Sequence, residues 1–321
     1  MKRFTTLPTL FLMLSCAATL ADTVYVTLEK DNALAAVSSP DGKRLKTLTI
    51  GKRPRGIALS PDGKLLYVAV SDEDTIKLVN TETLKVIGTL PSGEDPETFT
   101  LDAEGKRIFV SNEDTNQITV IDNSSRKVIG TIPVGVEPEG ICASPDGTWV
   151  VSTSETTNMA HWINTKTLTI TDNTLVDPRP RACIFSQDSK QLWVSSEIAG
   201  TVSVLDTKTR QPVGKISFRI PGVTQEKIQP VGIRIDQNRR FAYIALGPAN
   251  RVAVVDTRTL AVVDYWLVGQ RVWQLAFSPN EKWLYTTNGV SNDMSMIDLE
   301  QRKVIKSIAV GQYPWGVVAK P

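Results

Sequence analysis

The sequence predicts an all-β fold, a seven-bladed β-propeller with four antiparallel strands per blade, and three observations carry that prediction. Prolines recur in register at Pro54, Pro96, Pro138, Pro180, Pro230 and Pro314, with Val272 standing where a seventh would be, at intervals of 42, 42, 42, 50, 42 and 42 residues. An aromatic or large apolar residue follows 13 positions later in each unit, at Tyr67, Phe109, Val151, Trp193, Tyr243 and Tyr285, and Tyr25 extends the series backwards. Each unit also splits into four short apolar runs, which leaves no room for a helix.

In the unit that starts at Pro54 the runs are Gly56 to Leu59, Leu65 to Ala69, Thr75 to Val79 and Val86 to Leu90. The first break, Ser60-Pro-Asp-Gly63, supplies Pro at its second position and Gly at its fourth, a turn signature. Ser71 to Asp74 and Asn80 to Thr83 make the other two breaks. The runs are nearly continuous in Val, Ile and Leu because a blade covers both faces against its neighbours. Small residues two positions after the Pro (Gly56, Thr98, Gly140, Ala182, Gly232 and Gly316, with Gln274 the exception) suit an inner strand crowded at the axis.

The ends complete the count. Residues 23–51 align with the last three strands of a unit, and Tyr313-Pro-Trp-Gly-Val-Val318 aligns with the first. One composite blade and six continuous ones make seven, and pairing the termini removes the open edges of a linear array.

Residues 1–21, with Lys2 and Arg3 before an apolar run from Leu7 to Leu14 and a small-residue stretch ending at Ala21, read as a secretory signal cleaved after Ala21. A lipoprotein signal with Cys16 as the lipid-bearing residue is the alternative. Residues 22–321 form the propeller. No segment offers about 18 consecutive apolar residues, so no membrane span is expected. Removing Lys2 and Arg3 leaves 34 of 36 bases against 34 acids, a balance without the electrostatic footprint of a nucleic-acid binder. A monomer is expected.

Three residue types invite chemistry that their placement argues against. His161 is the only histidine and sits at a polar strand position away from the ends, so neither a zinc site nor a Ser-His-Asp triad is expected. Asp122, Asp206, Asp256 and Asp298 recur after the third strand, where an Asp satisfies turn amides. Cys142 and Cys183 lie four and three residues after their prolines, an offset that points them to opposite blade faces; a bridge between adjacent blades and two free buried thiols both remain open.

Strand order puts two loops of every blade at one end of the ring: the loop into the next Pro, and the loop after the second strand. Just after the Pro, that mouth presents Arg55, Glu97, Glu139, Arg181, Val231, Trp273 and Trp315. The second loop adds Glu113, Glu155 and Glu197 in three consecutive blades, and Arg53, Arg179 and Tyr313 flank the set. Arginine forks and tryptophan walls suit an amphipathic small molecule, and a solvated rim of opposite charges paired with one another is the competing account. An eight-residue excess within Ser217 to Gln229 falls at the same end, either as a cap or partner contact or as drift in a surface loop. No catalytic residue, metal or cofactor is assigned.

The runs Tyr25-Val-Thr-Leu28, Phe109-Val-Ser-Asn112 and Tyr285-Thr-Thr-Asn288, with Lys-Val-Ile-Gly-Thr-Ile-Pro-Val-Gly, resemble the YVTN-type β-propeller repeat across the mature chain. Seven such repeats behind a signal segment are similar to the periplasmic propeller proteins associated with pyrroloquinoline-quinone-dependent alcohol catabolism. That resemblance implies a non-catalytic binding or scaffold protein of the periplasm, working with a quinoprotein dehydrogenase, a transport component or a small ligand. The chain lacks the Cys-x-x-Cys-His haem motif and vicinal cysteines of the quinohaemoprotein dehydrogenases themselves. The alternative it implies, since related seven-bladed folds include lactonases, is a hydrolase using Glu113, Glu155, Glu197 and Arg181. On the binding or scaffold reading, replacing Arg55 and Arg181 by Ala is expected to weaken ligand or partner binding with little change in melting temperature.

Overall fold

A computed structural model describes residues 22–320, in 28 strands arranged as seven four-stranded antiparallel sheets. The signal segment, its cleavage after Ala21 and the Cys16 alternative lie outside the described residues. Blade 1 joins β1 (Asp22–Leu28), β2 (Ala33–Ser39) and β3 (Arg44–Thr49) to β28 (Pro314–Lys320). Blade 2 comprises β4 (Pro54–Leu59), β5 (Leu65–Val70), β6 (Thr75–Asn80) and β7 (Lys85–Pro91). The plan repeats with β8–β11 between Pro96 and Pro133, β12–β15 between Pro138 and Leu175, β16–β19 between Pro180 and Ser217, β20–β23 between Ile233 and Leu267, and β24–β27 between Val272 and Ala309.

The ring closes as expected. In blade 1 Tyr25 stands opposite Val318 and Val26 opposite Val317, so the C-terminal strand supplies the inner edge of a sheet begun at the N-terminus. Packing follows the blade order: the second strands are buried throughout their centres, whereas fourth strands such as β3 and β7 face solvent. The core is therefore a set of inter-blade layers. One layer joins Tyr25, Leu34 and Ala36 of blade 1 to Leu66, Val68 and Val79 of blade 2.

The aromatic series at 42-residue spacing lies in those layers, and its hydroxyls cross them. Tyr25 donates to the Thr81 carbonyl at 3.2 Å, Tyr67 shares hydrogen bonds with Asn123, and Tyr285 meets Ser39 Oγ at 2.5 Å. Each joins one blade to the next. The glycines after the prolines answer crowding: a Cβ on Gly140 would stand 2.7 Å from the Arg181 carbonyl, and one on Gly316 2.5 Å from that of Arg55.

The turn aspartates do structural work. Asp122 accepts the Ser125 N–H at 2.7 Å, Asp206 the Thr209 N–H at 2.7 Å and Asp256 the Thr259 N–H at 2.8 Å, all away from the mouth. Those amide bonds hold the Asp122 carboxyl down at about 2. Cys142 of blade 4 and Cys183 of blade 5 form a disulfide, so the bridge, of the two alternatives, is the one the structure contains. His161 is buried, with Nδ1 2.6 Å from Asn173 Oδ1 and Nε2 accepting the Gly135 N–H at 3.0 Å, and its partners are structural. Among the described residues no helix is long and apolar enough to cross a membrane.

Candidate functional site

At the mouth, the nine candidate residues fall into two adjoining clusters. In the first, on blades 1 to 3, Arg55 binds Glu97 and approaches Glu29 at 3.5 Å, while Arg53 reaches Asp95 at 2.5 Å and Glu97 at 2.7 Å. Glu113 adds its carboxyl here: Asp95, Glu97 and Glu113 bring carboxylate oxygens within 4.8 Å of one another. The Arg55 guanidinium lies 5.7 Å from the Trp315 ring.

The second cluster turns on Arg181, which binds Glu139 and Glu155 and lies 3.6 Å from Glu197. Arg179 repeats two of these contacts, with Glu155 at 3.0 Å and Glu197 at 3.1 Å. Arg271, from the loop into blade 7, reaches Glu197 of blade 5 at 2.9 Å and Gln229 at 2.8 Å, and stacks on Trp273 at 4.3 Å. Val231, Trp273 and Trp315 pack together with Tyr313 in a small apolar cluster.

Burial sets this mouth apart from the solvated rim weighed against a ligand site. Glu97 is 0%, Glu139 3% and Arg181 8% exposed. Removing one partner from such a pair leaves a charge stranded away from water, at a cost of about 3–5 kcal/mol. The expectation that Arg55→Ala with Arg181→Ala leaves the melting temperature nearly unchanged is therefore corrected: these arginines hold the mouth together as well as lining it.

The protonation pattern follows from the geometry. Burial, reinforced by the Glu97 charge and a hydrogen bond with it, lifts Glu113 to about 7. Burial also raises Glu139 well above the carboxylate range, against the pull of Arg181, while Glu155, its hydrogen-bonded neighbour, is lowered because that bond and the charges of Arg181 and Arg179 outweigh burial. The neutral form is thus favoured at Glu139 and the charged form at Glu155, a division that lets like carboxyls coexist near one another. Arg55 and Arg181 are both raised, their carboxylates overcoming the desolvation that would lower them.

Several mouth residues escape the sequence. Glu29 stands two repeats of 42 before Glu113, a visible signal in the composite blade. Arg271 occupies the same place before the junction as Arg53 and Arg179. Gln229 enters only through the long loop, which is anchored on the blades by buried Phe218, Ile220 and Ile228 and reaches the mouth through that one side chain. As for metal chemistry, Asp95, Glu97 and Glu113 offer an oxygen set for a hard cation, but Arg53 and Arg55 already bring positive charge to two of the three.

Comparison with known proteins bears on this arrangement at several levels. The family model described as "Lactonase, 7-bladed beta-propeller" matches residues 21–131, the stretch that contains Arg53, Arg55, Glu97 and Glu113. Among solved structures, the periplasmic gluconolactonase of Pseudomonas aeruginosa superposes with a TM-score of 0.79 at 15% identity, covering 94% of this chain and 99% of that one. The hydrazine synthase of Kuenenia stuttgartiensis gives 0.78 at 17% identity, covering 90% of this chain and 99% of that one. At such identities the likeness is one of fold. No curated protein matches the sequence significantly. The "Choice-of-anchor I domain" model matches residues 116–310, more than half of the 321 residues, and the chain belongs to that family.

Proposed function

We propose that this propeller hydrolyses a small polyhydroxylated lactone at the channel mouth. One observation carries the reading. Among the candidate carboxyls Glu97, Glu113, Glu139, Glu155 and Glu197, Glu113 is the one with no arginine or lysine within ion-pair distance, and it is held at about 7. A group of that strength takes up and returns a proton near neutral pH.

In this reaction Glu113 accepts a proton from water as the water oxygen bonds to the ring carbonyl carbon. The negative charge developing on the carbonyl oxygen is stabilised by the guanidinium of Arg55. Breaking the ring C–O bond then sends the proton from Glu113 to the leaving alkoxide, and a hydroxy acid is released. Tyr313, the half-exposed member of the cluster with the buried Trp273 and Trp315, supplies an apolar edge of the kind that packs on a sugar-like ring. The lactonase-model match over the Arg55–Glu97–Glu113 segment supports the same reading.

The test is hydrolysis of glucono-δ-lactone by the purified chain, corrected for spontaneous opening, with Glu113→Gln alongside and with and without a chelator. The expected result is a kcat/KM that rises with pH through about 7, lost in Glu113→Gln. A rate at the spontaneous background, or an unaffected Glu113→Gln, overturns it.

A second reading, a non-catalytic periplasmic accessory to a quinoprotein alcohol-oxidation system, draws support from one observation. The mouth arginines are committed to buried carboxylates, which suits a rigid docking surface. Co-purification of a quinoprotein dehydrogenase or transport component from cells grown on an alcohol, with no lactone hydrolysis, would favour it.

A further inference from the structure

Beneath the paired mouth one arginine stands alone. Arg234, on the inner strand of blade 6 (Ile233–Ile235), occupies a repeat position filled elsewhere by Ala58, Thr100, Cys142, Ile184, Ala276 and Val318, all uncharged. It lines a cavity of about 120 Å³ in the central channel, together with Thr98, Gln274, Trp315, the glycine backbones of the inner strands and Arg181, which is paired to the mouth carboxylates, and no carboxylate stands on that wall. Its Nη1 donates to the carbonyl of Ile233 at 2.7 Å, and among the described residues no Asp or Glu lies within ion-pair distance.

Arg181 is buried, and Arg55 and Arg271 half-buried, against carboxylates that compensate their charge. Arg234 is desolvated with no compensating charge: burial alone pushes its guanidinium down to about 10, which still leaves it cationic at neutral pH. Arg234 is half-buried and its charge is partly desolvated with no carboxylate to offset it, so an anion entering the cavity would be stabilised there. The guanidinium presents a planar fork of donors, of which only one is engaged, and such a fork fits the paired oxygens of a carboxylate or phosphate group. The cavity holds several water volumes of about 30 Å³ each, the space of one small oxyanion. We propose that Arg234 and the surrounding channel wall form a binding site for a small oxyanion, separate from the mouth carboxylates and independent of the lactone reading.

The test is thermal unfolding of the native chain and of Arg234→Gln, titrated with sodium acetate, inorganic phosphate or sodium chloride at matched ionic strength. The native chain is expected to gain stability saturably with acetate or phosphate beyond the effect of chloride, and Arg234→Gln to lose that gain. In anion-poor buffer, Arg234→Gln should melt at or above the native temperature, because the uncompensated charge is gone. The acetate and phosphate arms show whether a carboxylate or a phosphate group is preferred. Equal shifts in both proteins, or shifts no larger than those of chloride, overturn the proposal. If Arg234→Gln fails to fold, equilibrium dialysis of labelled acetate and labelled phosphate against the native chain decides: one equivalent of either, displaced by the other, supports the site, and no saturable binding of either refutes it.

Discussion

The indole nitrogen of Trp273 lies 2.5 Å from the point where a Cβ on Gly289 would stand. Gly289 holds the repeat position that carries Glu29, Glu113, Glu155 and Glu197 in other blades. The missing carboxylate of blade 7 is thus the room in which a tryptophan lies, flanked by Arg271 and Arg181. In blade 7 the tryptophan ring takes the space that an acidic side chain at position 289 would need.

From that relationship, Gly289→Ala should displace Trp273 and cost about 1–3 kcal/mol, the usual range for overpacking. Denaturant unfolding combined with tryptophan emission would check it: a stability loss with an unchanged spectrum would mean that the ring had not moved.

Arg181→Met should be the most damaging single change at the mouth, since it takes from Glu139 its only ion-pair partner and leaves Glu155 to Arg179 and Glu197 to Arg179 and Arg271. A loss of about 3–5 kcal/mol is expected. The loss should shrink as the pH is lowered, because the orphaned carboxyl then becomes neutral. Arg55→Met, at a more exposed site, should cost less. Chemical denaturation of both variants across pH provides the comparison.

Glu113 links the mouth to stability as well as to activity. Its pKa rises from 4.5 when unfolded to about 7 when folded, so the folded chain holds more protons in that window. Stability contributed by this group is full below the lower value and declines as the pH rises towards the upper one. Glu113→Gln should therefore flatten the decline between those two values and melt above the native chain on the alkaline side. Parallel melting curves for the two proteins would place the shifted proton elsewhere.

The disulfide between Cys142 and Cys183 closes a loop with a sequence separation of 41 and fastens blade 4 to blade 5 beside the Arg181 cluster. Its removal by Cys142→Ala with Cys183→Ala should cost about 2–4 kcal/mol, measured by denaturant unfolding. Equal stability with and without the bridge would show that the ring is held by blade packing alone.

The fold was almost wholly legible in the sequence, for a local reason. Each blade is a self-contained pattern of four runs and three turns, and residues such as Asp122 or Gly140 satisfy constraints set within a blade or against its neighbour. Ring closure was also legible, because Pro314 to Val318 is missing from one end of a unit and present at the other. The candidate residues were legible as positions: each of the nine lies at the mouth. Their burial was not, since an Arg or Glu at a loop end reads as solvated until the convergence of seven strands on one axis removes the solvent.

What the sequence by itself determined was the number of blades, their order, the end at which the candidate residues gather and the blades that depart from the pattern. Tertiary structure alone decided who meets whom. Arg271 passes blade 6 to reach Glu197 of blade 5, Glu113 is left without a cation, and Arg234 faces the channel with no counter-charge. A repeat fixes where each side chain starts, through local hydrogen bonding and packing. Pairing near an axis depends on the lengths and charges of side chains arriving from several blades at once, and no single repeat contains that information.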